Sequence, residues 1–240
     1  MFLSSSLSAA LDRIAERTAD VRRAFTPGAV PQHDDVATPG TSSDVTVDPL
    51  AVVAPDGAYF VTNDDEGRKS YTRDGAFTIH AGKLTDAGGR AILGTRAPGA
   101  ALGELTIDRV DDALGRTRDV HIQRDGSLVY GREVVDPRSG AKEPQRIVAG
   151  RIALVRFPAG TKLETSDGTY CVPPSGVIPE SGLPADGTFA SLLPMHRERS
   201  RVDVNESLIR LKDAYLAFDA LRAAETAKAH VGKTTMDLLK

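Results

Sequence analysis

The sequence has little of the material from which ligand pockets and covalent cross-links are made. Its 240 residues include no tryptophan, 5% aromatic residues in all and a single cysteine. Few bulky side chains are therefore present to line a sugar, base or cofactor pocket. The lone Cys171 excludes an intrachain disulfide and a thiolate metal cluster. These absences weigh against an enzyme.

A dominant charge and long hydrophobic runs are also lacking. The formal net charge is −3, and the basic residues are interleaved with acids and lack aromatic company, which argues against nucleic-acid binding. No segment approaches the roughly 20 apolar residues of a membrane span. The first residues, MFLSSSLSAALDR, lack a basic region, and serines interrupt their apolar run. We therefore expect no cleaved secretory signal.

Patterns that superficially match catalytic or metal sites are better explained as structure. Residues 232–234, Gly-Lys-Thr, match the end of a phosphate-binding loop, but Ala227 stands where its first glycine belongs and no strand precedes it. The five histidines are scattered without metal-binding spacing. Residues 63–67, NDDEG, lack the ligand pattern of a calcium loop and predict a hairpin tip. We expect no cofactor, no metal site and no catalytic residue.

Both ends of the chain predict amphipathic helices. Apolar residues recur at helical spacing from about residue 3 to 24 and again from 202 to 240, and Asn205 is expected to cap the second helix. A lone helix is marginal in water, so each apolar stripe needs a partner, and the simplest partner is the other helix, within one chain or between copies. The stripes comprise Leu3, Leu7, Ala10, Ile14 and Val21, and then Val204, Leu208, Leu211, Tyr215, Phe218, Leu221 or Ala224, Val231 and Leu238.

The region between the helices predicts a connector followed by a β domain. Residues 26–49 are rich in Pro, Gly, Ser, Thr and Asp without an apolar period, which is typical of an extended or mobile connector. In the region that follows, short apolar runs alternate with turn residues, as in antiparallel hairpins. The five Asp-Gly pairs, each of which predicts a turn, lie at residues 56–57, 74–75, 125–126, 167–168 and 186–187.

The predicted fold class is therefore mainly β: an antiparallel, hairpin-rich β domain flanked by N- and C-terminal α-helices that associate. The predicted segments are an N-terminal helix at 1–25, a connector at 26–49, a β-rich domain at 50–198 and a C-terminal helix at 199–240. The two helices together form a terminal helical domain.

The stretch YTRDGAFTIHAGKLTDAGGRAILG, residues 71–94, resembles the bacterial flagellar rod and hook family. Further patterns similar to that family follow in order within residues 150–176 and 200–227. One departure is clear: the Asn-rich segment of rod proteins at the end of the first helix is missing from residues 11–28, which suggests a divergent member or a paralogue with altered contacts. The matching positions of the main stretch are Tyr71, Thr72, Arg73, Asp74, Gly75 and Phe77, then Gly82, Leu84, Gly89, Leu93 and Gly94.

The resemblance implies a structural subunit of the flagellar basal-body rod, of proximal or distal type, without catalytic activity. It implies export by the flagellar type III apparatus without a cleaved signal, and then addition to a torque-transmitting axial stack. The implied partners are other copies of the chain and neighbouring rod or hook subunits, with no nucleic acid and no small-molecule substrate. The expected assembly interface, in which the helices gain partners only at the growing end, consists of Leu7, Ile14, Val21, Val204, Leu208, Leu211, Tyr215 and Phe218.

An alternative from another class is a non-catalytic adhesive or binding β-domain protein whose terminal helices form a closed small oligomer. A monomer with protease-sensitive ends favours the rod subunit, whereas a stable dimer or trimer with protected ends favours this alternative. An enzyme ranks third, behind these two, because the sequence offers neither a nucleophile–base pair nor a set of metal ligands.

Overall fold

The fold is a β-rich body flanked by two helices that pack against each other. The computed structural model describes residues 5–26, 29, 42–64, 66–97, 99–107, 118–135, 142–166, 169–200 and 202–238. Within these ranges, seventeen strands lie between helix α1 (Ser5–Arg23) and helix α2 (Val204–Leu238), and the two helices are in contact. The predicted fold class is confirmed. No helix in the described ranges is long and apolar enough to cross a membrane.

The strands are short, and every ladder between them is antiparallel. In chain order they are β1 (Ser43–Val45), β2 (Val52–Val53), β3 (Ala58–Asn63), β4 (Lys69–Thr72), β5 (Thr78–His80), β6 (Lys83–Thr85), β7 (Ala91–Thr95), β8 (Gly103–Glu104), β9 (Arg118–Ile122), β10 (Ser127–Val135), β11 (Lys142–Ile152), β12 (Leu154–Arg156), β13 (Glu164–Ser166), β14 (Tyr170–Val172), β15 (Glu180–Gly182), β16 (Leu193–Pro194) and β17 (His196–Glu198).

Strand β3 is the centre of the main sheet. It pairs with β4 along one edge and with β12 and then β7 along the other. The order through the sheet is β13-β14-β4-β3-β7-β11-β10-β9, with β15 added to β12, β6 and β8 added to β7, and β5 added to β6. The pairs β1–β17 and β2–β16 form two separate two-stranded sheets.

The central strands are buried on both faces. Side chains alternate between the faces of a strand, and consecutive residues of β3, β7 and β12 join two different apolar clusters. The larger cluster includes an edge-to-face pair of the Phe60 and Phe77 rings, with centroids 5.0 Å apart. The alternating pairs, larger cluster first, are Phe60 and Val61, Ile92 and Leu93, and Leu154 and Val155.

Helix α2 is capped by Asp203, so the predicted Asn205 cap is wrong. The Asp203 carboxylate accepts a hydrogen bond from the backbone N–H of Glu206 at 2.9 Å, and the Asp203 carbonyl accepts one from Ser207 at 3.0 Å. Asp and Asn are equally good caps, and the two stand two residues apart in this sequence. The apolar pattern alone could not place the boundary between them.

Part of the predicted connector is paired strand. Residues Ser43–Val45 form β1, which pairs with β17 in the register Ser43 to Glu198 and Val45 to His196. The local composition does not reveal this pairing, because the partner strand lies at the far end of the β-rich region. Positions 27, 28 and 30–41 of the predicted connector lie outside the described residues.

The Asp-Gly pairs act in two ways. Gly57, Gly126 and Gly187 have φ of 72°, 80° and 98°, so three pairs form turns with a left-handed glycine. The pair at 74–75 is not such a turn, because Gly75 is absent from the positive-φ residues and follows strand β4. The pair at 167–168 lies outside the described residues. Of the remaining motifs, Asp64, Glu66 and Gly67 of NDDEG lie between β3 and β4, and residue 65 lies outside the described residues. Residues 232–234 lie within α2.

Replacing Ala81 with glycine should stabilise the protein. Ala81 and Gly82 form the two-residue turn between β5 and β6, with φ of 51° and 82°. Positive φ at both positions is typical of a type I′ turn and strains alanine. We expect Ala81→Gly to raise the free energy of unfolding by about 0.5 kcal/mol in urea titrations. Ala87→Gly, at an exposed turn position without positive φ, should instead lower it slightly. Equal effects at the two positions would contradict this account.

Candidate functional site

Arg73, in the middle of the stretch that resembles the rod and hook family, forms a buried ion pair. Its side chain is 1% exposed, and that of its partner Glu198 is 0% exposed. Arg73 Nε donates to Glu198 Oε1 at 2.9 Å and to Oε2 at 3.1 Å, while Nη1 donates to the carbonyl of Ala58 at 2.7 Å. The pair therefore joins the end of β4 to β17, six residues before α2 begins.

Gly75 lets strand β2 approach the same stretch closely. A Cβ at this position would lie 1.8 Å from the carbonyl oxygen of Val52, and the Val52 N–H donates to the Gly75 carbonyl at 3.0 Å. The neighbouring Asp74 accepts a hydrogen bond from the N–H of Ala76 at 3.0 Å and donates its own N–H to Thr72 Oγ1 at 3.0 Å. The glycine is required by contact with another strand and not by a turn.

Asp74 carries an unfavourable charge at neutral pH. Burial raises the pKa of its carboxyl to about 6, and the nearby carboxylates of Asp86 and Glu198 add to this effect, while the Ala76 N–H and Arg197 oppose it.

The aromatic members of the stretch have packing roles: Phe77 lies in the larger cluster, and Tyr71 meets the Phe157 ring edge to face at 5.0 Å.

A second polar network lies behind the stretch. The buried Asp86 carboxylate accepts hydrogen bonds from the N–H groups of Gly88 and Arg90, both at 2.9 Å. The Arg90 guanidinium lies 3.7 Å from the centre of the Tyr170 ring and donates to Ser70 Oγ at 2.6 Å. Burial and the Asp86 charge raise the pKa of the Tyr170 hydroxyl. Sequence reasoning missed this network because it depends on the pairing of β14 with β4, which are far apart in the chain.

The thiol of Cys171, next to Tyr170 in β14, is not activated. Burial raises the pKa of the Cys171 thiol to about 11, although Arg23 and Arg73 act in the opposite direction, so the thiol stays protonated at neutral pH and is a poor nucleophile. Within the described ranges, no group of three or more His, Cys, Asp and Glu side chains could hold a metal ion. The stretch around Arg73 stabilises the fold.

The terminal helices form an antiparallel pair within one chain. The Ser200 hydroxyl, four residues before α2, donates to the carbonyl of Arg23 at the end of α1 at 2.9 Å. From this point the helices run side by side, and a groove of about 450 Å³ between them is lined by residues of both, including Arg13, Arg17 and Arg210. Helix α2 has 35 residues and α1 has 19, so α2 reaches roughly 20 Å farther from this point.

The predicted assembly residues divide between two faces of the pair. Leu7 and Ile14 are buried, and Val21, Val204, Leu211 and Phe218 are half-buried, as expected for the seam between helices. Leu208 and Tyr215 are instead 48% and 50% exposed. Apart from Glu206 and Arg210, the less exposed positions of α2 recur every three or four residues, at Val204, Ser207, Leu211, Ala214, Phe218, Leu221 and Glu225.

Sequence reasoning missed two members of the exposed set. Ile209 and Leu216 are 56% and 58% exposed, on the same helix as Leu208 and Tyr215. We name these four residues the outer face of α2. Apolar residues lie on more than one side of this helix, so their spacing alone could not separate the seam from the outer face. Of the two residues considered for the next step of the seam, Leu221 is half-buried and Ala224 is exposed; Leu3 lies outside the described residues.

The geometry defines a β-rich subunit that carries a terminal helix pair with an exposed apolar face. A family model described as the flagellar hook protein FlgE/F/G D1 domain matches residues 56–130, about a third of the chain. The matched segment contains Arg73 and its neighbours, and it supports the flagellar rod and hook family and a structural role within it. Comparison with curated proteins gave no match.

A methyl group at Gly75 should destabilise the body. The Cβ of Gly75→Ala would overlap the backbone of Val52, which cannot move away as a flexible side chain could. We expect the free energy of unfolding to fall by about 1–3 kcal/mol or more. Gly103→Ala is the matched control, because a Cβ there meets nothing within 4 Å. Comparable losses in the two variants, measured by urea denaturation, would show that the Val52 contact is not responsible.

Asp74→Asn should stabilise the protein at neutral pH. The folded-state pKa of Asp74, about 6, lies above its ordinary value of 3.8, so the charged carboxylate destabilises the fold above pH 6 and this effect disappears as the pH falls towards 3.8. An amide keeps the acceptor for the Ala76 N–H without the charge. We expect Asp74→Asn to raise the free energy of unfolding by up to about 3 kcal/mol at pH 7.5, and this increase should shrink towards zero near pH 4.

Urea titrations of both proteins across this pH range test the assignment. Asp186→Asn is the control, because hydrogen bonds from Leu183, Thr188 and Phe189 lower the pKa of that exposed carboxyl. That substitution should show the opposite pH dependence. A difference between wild type and Asp74→Asn that does not change with pH would refute the assignment to Asp74.

Proposed function

We propose that the chain is a structural subunit of the flagellar basal-body rod, which polymerises through its terminal helices into a torque-transmitting axial structure. The observation that carries this proposal is the outer face of α2. Its four large apolar side chains remain half-exposed or more, although α1 already packs against the helix. Burial of one such side chain contributes roughly 1.5–3 kcal/mol, so the face gains substantially from a neighbouring subunit.

The predicted interface residues have two different roles, because some of them join the two helices of one chain. Helices α1 and α2 pair within one chain, so their contact with each other does not require addition to the growing end. In the proposal, Leu7, Ile14, Val21, Val204, Leu211 and Phe218 build the seam that keeps the pair together. Leu208 and Tyr215, joined by Ile209 and Leu216, then contact the next subunit.

The family match supports the proposal that this assembly takes place in the flagellar rod and hook. The proposed partners are other copies of the chain and neighbouring rod or hook subunits, at a proximal or distal position of the periplasm-spanning rod. Export through the flagellar type III apparatus without a cleaved signal is part of the proposal, as is the absence of catalysis, nucleic-acid binding and a small-molecule substrate. The open stack needs contacts between two different surfaces, because such contacts do not close.

Charges placed on the outer face should prevent assembly without unfolding the chain. We expect the double variant Leu208→Asp/Leu216→Asp to weaken subunit addition by more than about 100-fold, because two burials of about 1.5 kcal/mol each are lost. The measurements are swimming motility and purified basal bodies from a strain that carries only the variant. Ile178→Asp, which replaces an 85% exposed apolar side chain on the body, is the control and should assemble normally.

Two outcomes would contradict the proposal, the first its assembly surface and the second its rod assignment. Normal basal bodies in the double variant would show that the outer face is not the assembly surface. A wild-type protein that forms a stable closed dimer or trimer at micromolar concentration, which the double variant dissociates, would instead favour the adhesive or binding protein with a closed oligomer. Circular dichroism and urea titration of the double variant should show an unfolding free energy within about 0.5 kcal/mol of wild type.

A further inference from the structure

The chain between the helix pair and the body passes through a small two-stranded sheet. We name β1 and β17, with Arg199 and Ser200, the neck. Hydrogen bonds extend the β1–β17 pairing towards the helices, since the Arg199 N–H donates to the carbonyl of Ser42 at 2.8 Å. At its outer end, Ser200 contacts the carbonyl of Arg23 in α1. The neck therefore holds the inner ends of both helices.

Two ion pairs lie along the neck, in opposite environments. Arg199 Nε donates to Asp44 Oδ2 at 2.8 Å, but both side chains are more than half exposed, at 61% and 57%. Glu198, the adjacent residue, points into the body and meets Arg73 where both side chains are at most 1% exposed. The first pair links one part of the neck to another, whereas the second links the neck to the central strands.

The buried pair has the geometry of a directional link. The Nε–H of Arg73 is shared between both oxygens of Glu198, and because the guanidinium is planar, this contact restricts where the carboxylate can lie. Arg73 Nη1 is also fixed by the carbonyl of Ala58 in β3, so the guanidinium is anchored to the centre of the main sheet. An exposed ion pair is screened by water and contributes little, and for that reason Asp44–Arg199 cannot hold the same angle.

We propose that the Arg73–Glu198 pair is the joint that fixes the angle of the terminal helix pair relative to the β body. Residues 73 and 198 are thus positioning residues for the outer face of α2. The inference concerns the conformation of a single chain and does not depend on the rod assignment. If the rod assignment holds, the joint also lies on the path by which force passes between the helices and the body.

The test is a distance measurement between spin labels on the helix pair and on the body. The labels are attached to the full-length chain at Leu216→Cys, on the outer face, and Ile178→Cys, on the body, with the buried Cys171 replaced by alanine. With the joint intact, we expect double electron–electron resonance to give one narrow distribution of the distance between the two labels. Glu198→Gln removes the charge that faces Arg73 and should at least about double the width of the distribution.

The matched control is Asp44→Asn, which breaks the exposed ion pair of the same neck and should leave the width unchanged. An unchanged width in Glu198→Gln, with the body folded by circular dichroism, would overturn the proposal. Equal broadening in both variants would also overturn it, because the neck as a whole and not the buried pair would then set the angle.

A second variant covers the case in which Glu198→Gln does not fold. Arg73→Met/Glu198→Leu replaces the pair by apolar side chains, an exchange that buried ion pairs often tolerate without loss of stability. This double variant should have a folded body and a broad distance distribution, because apolar contact has no preferred direction. A narrow distribution would refute the joint. Failure of this variant to fold as well would show that the pair is required for the body itself, and would equally refute it.

Discussion

A charge inside a β-rich core must meet an opposite charge, and in this chain that requirement brings together segments that are 125 residues apart. Arg73 follows β4, Glu198 ends β17, and both are almost completely buried. The same short stretch accommodates β2 through Gly75 and fills the larger apolar cluster through Phe77. The stretch that resembles the rod and hook family is therefore a structural junction, since each of these residues is required by contact with a different part of the chain.

The junction also contains acidic side chains with raised pKa values, and contacts with the backbone explain their positions. Asp74 and Asp86 are buried because their carboxylates bind backbone N–H groups in tight bends, at Ala76 and at Gly88 and Arg90. Burial then raises both pKa values, and the charges of Asp86 and Glu198 add to the effect at Asp74. Perturbed carboxyls often indicate an active site. In this chain each has a backbone partner that accounts for its position.

The sequence predicted those parts of the fold that have a local signature. Both helices, the antiparallel hairpins and the turns at Gly57, Gly126 and Gly187 follow from spacing and turn chemistry. The β1–β17 pair and the Arg73–Glu198 contact could not be predicted, because each joins distant segments and neither changes the local pattern. The seam of α2 was predicted in part: Leu211 lies in it and Leu208 does not, since apolar residues on two sides of a helix give two overlapping periodicities.

Those two sides of α2 bear directly on function. A helix with one apolar stripe is satisfied by one neighbour, and α1 is that neighbour for the seam. The outer face is not covered by α1, because α1 already lies against the seam, and it is therefore available to a second partner. The single chain keeps its helices paired and still has an exposed apolar surface. That surface consists of Leu208, Ile209, Tyr215 and Leu216. If that surface meets a different surface of the next copy, the contact repeats without closing, which is the property that an axial structure requires.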